Sequence, residues 1–170
     1  MSNRLWYPIG ICYVASSLIR AGFEVEIIDV IGENLTRNSF NKRLSECHAD
    51  CFGIGGLVMA FNNVVDISVM IRNLYPDSFI FAGNTVGYTI PEILLKNSAI
   101  TAIIMGEGEI TTVELVNAVG TGNKLDEVKG IVYKNSNEKI IFTPPRPPIE
   151  NLDILPLPAW DLVPMKNYFK

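Results

Sequence analysis

The 170-residue chain contains only one histidine, three cysteines and no P-loop motif. His48 lies between Cys47 and Cys51, and with no further histidine these residues do not make up a zinc-site motif. His48 also precedes a predicted strand, whereas ligands of parallel sheets bind beyond the carboxyl ends of the strands, so we expect a structural role for it and no catalytic triad. The nearest match to the dinucleotide motif G-x-G-x-x-G, residues 53–59, lacks the third glycine.

Long apolar runs and an excess of basic residues are also absent. No segment approaches the roughly 18 apolar residues of a transmembrane helix, and the N-terminus lacks the apolar core of a signal peptide. The net charge of −4, with acids and bases interspersed, argues against a protein that binds nucleic acid through phosphate contacts. An odd number of cysteines does not indicate a disulfide framework. We therefore expect a cytoplasmic protein that binds neither a membrane nor a nucleic acid.

Apolar segments of two kinds alternate along the chain. Segments with helical spacing of apolar residues are 9–21, 40–47, Phe61–Leu74, 91–95 and 109–119. Short apolar runs typical of buried strands are residues 25–30, 51–54, 78–83 and 100–106. Strands that are almost continuously apolar and alternate with helices indicate a parallel sheet covered on both faces. The pattern therefore predicts an α/β protein with a doubly wound, Rossmann-like parallel sheet.

The two ends of the chain depart from this pattern. The chain opens with a helix, whereas such domains usually begin with a strand, so either the first strand is missing or the chain is a piece of a longer protein. Residues 128–133 and 139–142 flank K-N-S-N-E and predict a β-hairpin. Seven prolines in residues 143–164 predict an extended linker or a tail that wraps around the domain. We expect an α/β domain over residues 1–143, including the hairpin at 128–142, and a proline-rich linker over 144–170.

The carboxyl ends of the four predicted strands indicate where a ligand would bind, because open parallel sheets hold their ligands at this edge. Three of the strand ends carry glycine directly after the strand, and glycine lets the backbone approach a ligand closely. The four strand ends are residues 29–33, 55–60, 83–88 and 106–109. Together they predict a broad site lined by backbone.

Acidic residues occupy two of these strand ends. Glu107 and Glu109 belong to the turn Gly-Glu-Gly-Glu before the last predicted helix, and Asp29 and Glu33 follow the first predicted strand. Acids at a helix N-terminus interact favourably with the macrodipole and with free N–H groups, so we expect Glu107 and Glu109 to cap this helix. Asp29 and Glu33 are expected across the cleft, and spacing alone makes none of the four catalytic.

The ordered set of motifs resembles the cobalamin-binding domains of B12-dependent radical S-adenosylmethionine (SAM) proteins. The opening of those domains is similar to "YPIGICYVASSLIRAGFEVEIID", and their later motifs are similar to "FGIGG", "FAGN" and "AIIMGEGEITTVELVNAV". "FAGN" stands where the family usually has a double glycine and a proline. The segment "KGIVYKN", followed by "FTPPRPPIENLDILPLPAWDL", resembles the hairpin and the segment that lead into the radical SAM barrel. The resemblance covers residues 7–168.

The resemblance implies a flavodoxin-like domain that holds cobalamin over the carboxyl ends of the strands. Loops 55–57, 83–85 and 106–108 would accept the corrin and its nucleotide tail, with the Asn84 amide and the Thr85 hydroxyl as hydrogen-bond donors. The implied cofactor-binding residues are Gly55, Gly56, Leu57, Gly83, Asn84, Thr85, Gly106, Glu107, Gly108 and Glu109. No catalytic residue and no protein ligand to a metal is implied in this chain.

The resemblance also implies a partner domain, the radical SAM barrel of the same polypeptide, which would bind a [4Fe-4S] cluster and S-adenosylmethionine. Family members include methyltransferases, ring-forming enzymes and other enzymes of radical chemistry. The cluster motif C-x-x-x-C-x-x-C is absent from this chain, so we expect no radical chemistry from the chain alone. The motif D-x-H-x-x-G, by which methionine-synthase-type domains supply a histidine to cobalt, is absent as well. Many radical SAM relatives also lack this histidine, so its absence does not exclude cobalamin.

Two alternatives remain open at this point. One is a degenerate domain that binds no corrinoid and only docks on the barrel, where it shapes the substrate entrance. The other is a free-standing flavodoxin-like module that binds a different ligand. The proline-rich segment counts against the free-standing module, which has little use for it.

Overall fold

The computed structural model describes residues 7–169, which contain seven α-helices and five β-strands. In chain order the elements are α1 (Ile9–Arg20), α2 (Arg37–Ser45), β1 (Cys51–Gly55), α3 (Phe61–Leu74), β2 (Phe79–Gly83), α4 (Asn84–Thr89), α5 (Pro91–Asn97), β3 (Ala102–Ile104), α6 (Gly108–Thr121), β4 (Ile131–Lys134), β5 (Ile140–Phe142) and α7 (Met165–Tyr168). The chain divides into two units. We call residues 49–150 the sheet unit, and residues 7–48 with 151–169 the helical unit.

A five-stranded sheet in the order β1-β2-β3-β4-β5 organises the sheet unit. The first three strands are parallel, with Gly55 opposite Gly83 and Ala82 opposite Ile103. The hairpin of β4 and β5 then adds in antiparallel orientation to β3. The predicted α/β class and the predicted hairpin are confirmed, and the hairpin makes the sheet a mixed one.

Apolar side chains of the strands and helices fill the interior of the sheet unit. The cluster formed by strands β2, β3 and β4 with helix α6 consists of Phe81, Ala102, Ile104, Leu115, Ala118, Val128 and Ile131. Ile80 and Ile103 are fully buried on the same strands. Since both β2 and β3 bury successive residues, helices or loops cover both faces there, as the apolar runs predict.

Helix α4 is absent from the sequence-based prediction, which has a loop between residues 83 and 91. Its sequence N-T-V-G-Y-T has low helix propensity and contains a glycine. Tertiary packing overrides this propensity, because Val86 is fully buried and a Cβ at Gly87 would lie 2.7 Å from Cγ2 of Ile103. The other predicted helices of the sheet unit are confirmed, and α3 has the predicted bounds.

The predicted strand at residues 25–30 is wrong. The structure has no regular hydrogen-bonded element there, although Ile27 is buried. A strand exists only through hydrogen bonds to a neighbour, and none of the described strands pairs with this segment. The β-branched composition therefore reflects burial of apolar side chains and not sheet formation. The prediction that no strand precedes α1 concerns residues 1–7, of which the structure describes only Tyr7.

The proline-rich segment supplies part of the interior of the helical unit. Ala159 and Val163 are buried against Cys12, Ala15 and Ile27. The Ala159 N–H donates to the Cys12 carbonyl at 3.1 Å. The part of this segment from residue 151 onward thus packs on α1 within its unit. Its role as a linker in a longer protein stays a prediction, as does the boundary at residue 143.

Aromatic contacts extend the same packing. The rings of Tyr7 and Trp160 stack with centroids 5.3 Å apart, and Tyr7 meets Tyr168 edge-on at 5.5 Å. The Tyr7 hydroxyl donates to Sγ of Cys12 at 3.2 Å.

Among residues 7–169, no helix has the length and apolar composition needed to cross a membrane.

The packing of Val163 predicts a clear contrast between two substitutions in the proline-rich segment. Val163→Asp should lower the free energy of unfolding by about 3 kcal/mol or more, because it buries an unpaired charge among apolar side chains. Leu157→Asp is the matched control, since Leu157 is 82% exposed and its replacement should change stability by about 0.5 kcal/mol at most. Urea unfolding followed by tryptophan fluorescence measures both, and equal midpoints for the two variants would refute the packing.

Candidate ligand-binding site

Three neighbouring parallel strands end together at the carboxyl edge of the sheet. Gly55 ends β1 opposite Gly83, the last residue of β2, and β3 ends at Ile104. The chain leaves these strands through residues 55–58, 83–86 and 105–109, which we call the first, second and third edge loops. The structure therefore brings together three of the four predicted strand ends.

Two hydrogen bonds join the first and second edge loops. The Val58 N–H donates to Oγ1 of Thr85 at 3.1 Å, and the Val86 N–H donates to the Gly56 carbonyl at 3.1 Å. The Thr85 hydroxyl was predicted as a donor to a ligand. Its oxygen accepts one hydrogen bond within the protein, and its proton remains available to a ligand. The two loops consequently form one continuous surface.

Asn84 has a backbone conformation that is uncommon outside glycine. Its φ of 64° lies in the left-handed region, and its Oδ1 accepts the Thr85 N–H at 2.6 Å. Asparagine tolerates this conformation better than most residues because its short amide can bond to the local backbone. The side chain is exposed, so its N–H groups are accessible at the edge.

The edge is open above the glycines. A Cβ placed on Gly55 or Gly106 would meet no atom within 4 Å, and one on Gly83 would meet only Ile104, at 3.9 Å. Exposed apolar side chains lie in the same loops or directly beside them: Leu57, Val58, Met59 and Tyr88. Met59 is 91% exposed, and together with Leu57 and Val58 it forms a run of exposed apolar side chains. Backbone and apolar groups therefore dominate this surface, which suits a large ligand with an apolar body.

Gly106 shapes the third edge loop. Its φ of 84° lies in the left-handed region, which glycine adopts without strain. Glu107 follows at the N-cap position of α6, but its side chain makes no capping hydrogen bond. Its Oε2 instead accepts the Ile149 N–H at 2.6 Å. The predicted capping by the Glu107 side chain is therefore wrong, because the proline-rich segment supplies a competing donor that sequence spacing does not reveal.

Glu109 lies in the first turn of α6, where its negative charge interacts favourably with the helix dipole, as predicted. Its Oε2 is buried and has no hydrogen-bond partner among the described residues. A buried carboxylate oxygen without a donor is uncommon, since desolvation without a hydrogen bond is unfavourable. The Glu109 carboxylate thus has unused hydrogen-bond acceptor capacity.

Asp29 and Glu33, which were predicted across the cleft, bond locally within the helical unit. Asp29 is buried and accepts hydrogen bonds from the Gly32 N–H at 2.9 Å and from the Tyr168 hydroxyl. Burial and the hydrogen bond to Asp29 both raise the pKa of the Tyr168 phenol. Glu33 accepts the Asp29 N–H at 3.0 Å. These acids stabilise the turn after residue 28, and their predicted place after a strand is wrong because that strand does not form.

The histidine and cysteines add no second site. His48 is exposed, and burial raises the pKa of the Cys51 thiol to about 12, so this thiol is a poor nucleophile. Burial likewise raises the pKa of Cys12 and of Cys47. Within residues 7–169, no three side chains of His, Cys, Asp or Glu are grouped so that they could hold a metal ion.

Some features of this edge were missed from the sequence. Met59 and Tyr88 were not singled out, although apolar residues directly after a strand-terminating glycine could have indicated an exposed binding surface. The contact between Ile149 and Glu107 joins residues 42 positions apart and has no local signal in the sequence.

The chain is similar to known proteins over most of its length. Residues 2–116 match the family model of the B12 binding domain. The chain is 34% identical over 162 residues to an uncharacterized methyltransferase of Pyrococcus horikoshii, covering 95% of this chain and 35% of that protein. It is 31% identical over 167 residues to the anaerobic magnesium-protoporphyrin IX monomethyl ester cyclase of Synechocystis, covering 95% and 32%. The chain thus spans about a third of the length of these relatives.

A solved structure has the same fold. The cobalamin-dependent S-adenosylmethionine radical enzyme OxsB, with aqua-cobalamin and S-adenosylmethionine bound, superposes with a TM-score of 0.75 and 25% identity. The match covers 92% of this chain and 22% of that one. This neighbour is of the flavodoxin-like type, which confirms the predicted fold class.

The left-handed backbone of Asn84 predicts opposite effects for two substitutions. Asn84→Gly should leave the free energy of unfolding within about 0.5 kcal/mol of the parent value, because glycine adopts positive φ without strain. Asn84→Ala should lower it by about 1–2 kcal/mol, because a Cβ without a compensating side-chain bond is strained there. Chemical denaturation measures both, and an alanine variant as stable as the glycine variant would contradict the assigned conformation.

Proposed function

The chain belongs to the B12 binding domain family, and on this premise we propose that it binds cobalamin at the carboxyl edge of the sheet unit. We further propose that it is the cobalamin-binding module of a longer radical SAM enzyme. The observation that carries the proposal is the set of three adjacent strand ends whose backbone is open to approach, at Gly55, Gly83 and Gly106.

The residues of the edge suit the chemistry of a corrin, which is a broad macrocycle with an apolar body and carboxamide groups around its rim. The open glycines allow close approach of the backbone to the ring. Leu57 and Met59 offer apolar contact, and their exposed surface would leave water when the ligand binds. A ligand of this size would bury several of these side chains at once, and an exposed apolar patch of this kind is typical of a binding surface.

Polar groups at the same edge match the rim of the ligand. The N–H groups of the Asn84 amide and the hydroxyl of Thr85 can donate to carboxamide or phosphate oxygens. The buried Oε2 of Glu109 has no partner among the described residues and can accept from a carboxamide N–H.

The edge loops contain no histidine. His48 stands three positions before β1, on the amino side of that strand in the sequence, so these loops offer no imidazole to the cobalt. The chain would therefore hold cobalamin through its backbone loops and its rim contacts alone. Bound cobalamin supplies a cobalt centre that can carry a methyl group or change its oxidation state.

The proposed activity of the longer protein is methyl transfer or another radical-based modification. It is supported by similarity to an uncharacterized methyltransferase and to a cyclase, of which this chain covers about a third. The [4Fe-4S] cluster and S-adenosylmethionine would belong to a radical SAM barrel outside residues 1–170, because the cluster motif is absent here. The chain itself would bind and orient the cofactor.

Retention of cobalamin tests the proposal directly. The 170-residue chain is mixed with hydroxocobalamin and desalted, and the absorbance of the eluted protein is recorded. We expect a red protein with close to one cobalamin per chain. Retention no greater than that of an unrelated protein of equal size would contradict the proposal and favour a docking domain that binds no corrinoid.

A matched pair of substitutions tests the location of the site. Gly55→Val fills the open space at the end of β1 and should weaken cobalamin binding about tenfold, or about 1.4 kcal/mol. Gly120→Val also meets nothing within 4 Å, but it lies at the opposite end of α6 and should leave the affinity unchanged. Valine suits a strand and is a better helix former than glycine, so both variants should fold. Equal affinities, measured by absorbance titration, would place the site elsewhere.

A further inference from the structure

Residues 143–149, which we call the strap, leave strand β5 and are fixed to the sheet unit along their length. The Thr143 N–H donates to the Ile131 carbonyl at 3.0 Å, and the Ile131 N–H donates to Oγ1 of Thr143 at 3.0 Å. One residue on, the Pro144 carbonyl accepts the Gly130 N–H at 2.8 Å. The strap therefore begins as a continuation of the hairpin pairing.

The centre of the strap is held on α6 by Arg146. Its Nε donates to Oγ1 of Thr111 at 2.8 Å, and its terminal nitrogen pairs with the Glu114 carboxylate. The Arg146 side chain is only 15% exposed, so this is a partly desolvated ion pair. A Cβ on Gly130 would lie 3.2 Å from the Arg146 Cβ, which is a tight contact, and the φ of 76° at Gly130 also favours glycine.

The far end of the strap contacts the third edge loop through the Glu107 side chain. The Ile149 N–H donates to Oε2 of Glu107 at 2.6 Å, a charge-assisted hydrogen bond. Glu107 directly follows Gly106, whose open backbone lines the proposed cobalamin site. One side chain thus connects the ligand edge to the segment that follows strand β5.

We propose that Glu107 is a positioning residue that couples cobalamin binding at the third edge loop to the fixation of the strap. The proposal rests on the proposed function, since the ligand is the cobalamin assigned there. A bulky ligand over Gly106 removes water from the surroundings of the Glu107 carboxylate. A charge-assisted hydrogen bond gains strength when competing water is removed, so binding should tighten the bond to Ile149.

The coupling is reciprocal. If cobalamin favours the state in which Glu107 holds Ile149, that hydrogen bond must favour cobalamin binding by the same factor. The strap leads from the hairpin towards residue 151, where the segment that packs in the helical unit begins. Occupancy of the ligand edge would consequently set how firmly the start of this segment is held.

Hydrogen exchange at the Ile149 amide reports the state of this bond in the free protein. In nitrogen-15 NMR of the 170-residue chain, Glu107→Ala should speed exchange at this amide about fivefold or more. Glu107→Gln keeps an acceptor oxygen and should stay within about twofold of the parent rate. Glu150→Ala is the matched control, because it removes an exposed acid next to the strap and should change nothing.

The same amide reports the coupling when hydroxocobalamin is added. Exchange at Ile149 should slow about fivefold in the parent chain and in Glu150→Ala, and should not respond in Glu107→Ala. The affinity of Glu107→Ala for hydroxocobalamin should fall by the factor by which the ligand slows exchange in the parent chain. Glu107→Gln should restore most of both effects.

Each contrary result has a distinct meaning. Unchanged Ile149 exchange in free Glu107→Ala would overturn the role of Glu107 in fixing the strap. A parent chain that binds cobalamin without slowing Ile149 would overturn the coupling and leave the proposed function intact; Glu107 would then be a plain ligand contact if its alanine variant still lost affinity. A parent chain that binds no cobalamin would overturn the proposed function and the coupling together, while the exchange rates of the free variants still decide whether Glu107 fixes the strap.

Discussion

The parallel pairing of β1, β2 and β3 is the constraint on which the ligand edge depends. Its register sets Gly55 opposite Gly83 and makes three loops leave the sheet side by side. The interiors of β2 and β3 are buried on successive residues, so a shift of their register would move fully buried side chains such as Ile80 and Ile103 out of their packing. The same packing that stabilises the sheet unit therefore fixes where backbone and apolar groups are presented to a ligand.

Much of this arrangement follows from local patterns in the sequence. Helical spacing from Phe61 to Leu74 gave α3 its bounds, and glycine after each apolar run marked the ends of β1 and β2. Features that depend on long-range contacts could not be predicted from these local patterns. Residues 25–30 have a strand's composition but no described strand pairs with them, and α4 forms because Val86 is buried against the sheet unit and not because its sequence favours a helix.

The contacts of the proline-rich segment could not be predicted from its sequence either, and they make the segment more than a spacer. Its prolines exclude a helix or a central strand, as the sequence indicates. They do not exclude the specific contacts that the structure shows, with Arg146 on α6, Ile149 on Glu107 and Val163 in the interior of the helical unit. One irregular segment thereby contributes to both units, and the Glu107 side chain is drawn away from its expected role as a helix cap.

The central claim is that cobalamin binds at the carboxyl edge of the sheet, and mapping amide chemical shifts during a titration with hydroxocobalamin tests it most directly. The account predicts that the largest shifts occur in residues 55–58, 83–86 and 105–109, with little change at residues 51, 79 and 102, where the parallel strands begin. Shifts that are largest at those three residues, or that spread evenly over the sheet unit, would contradict it.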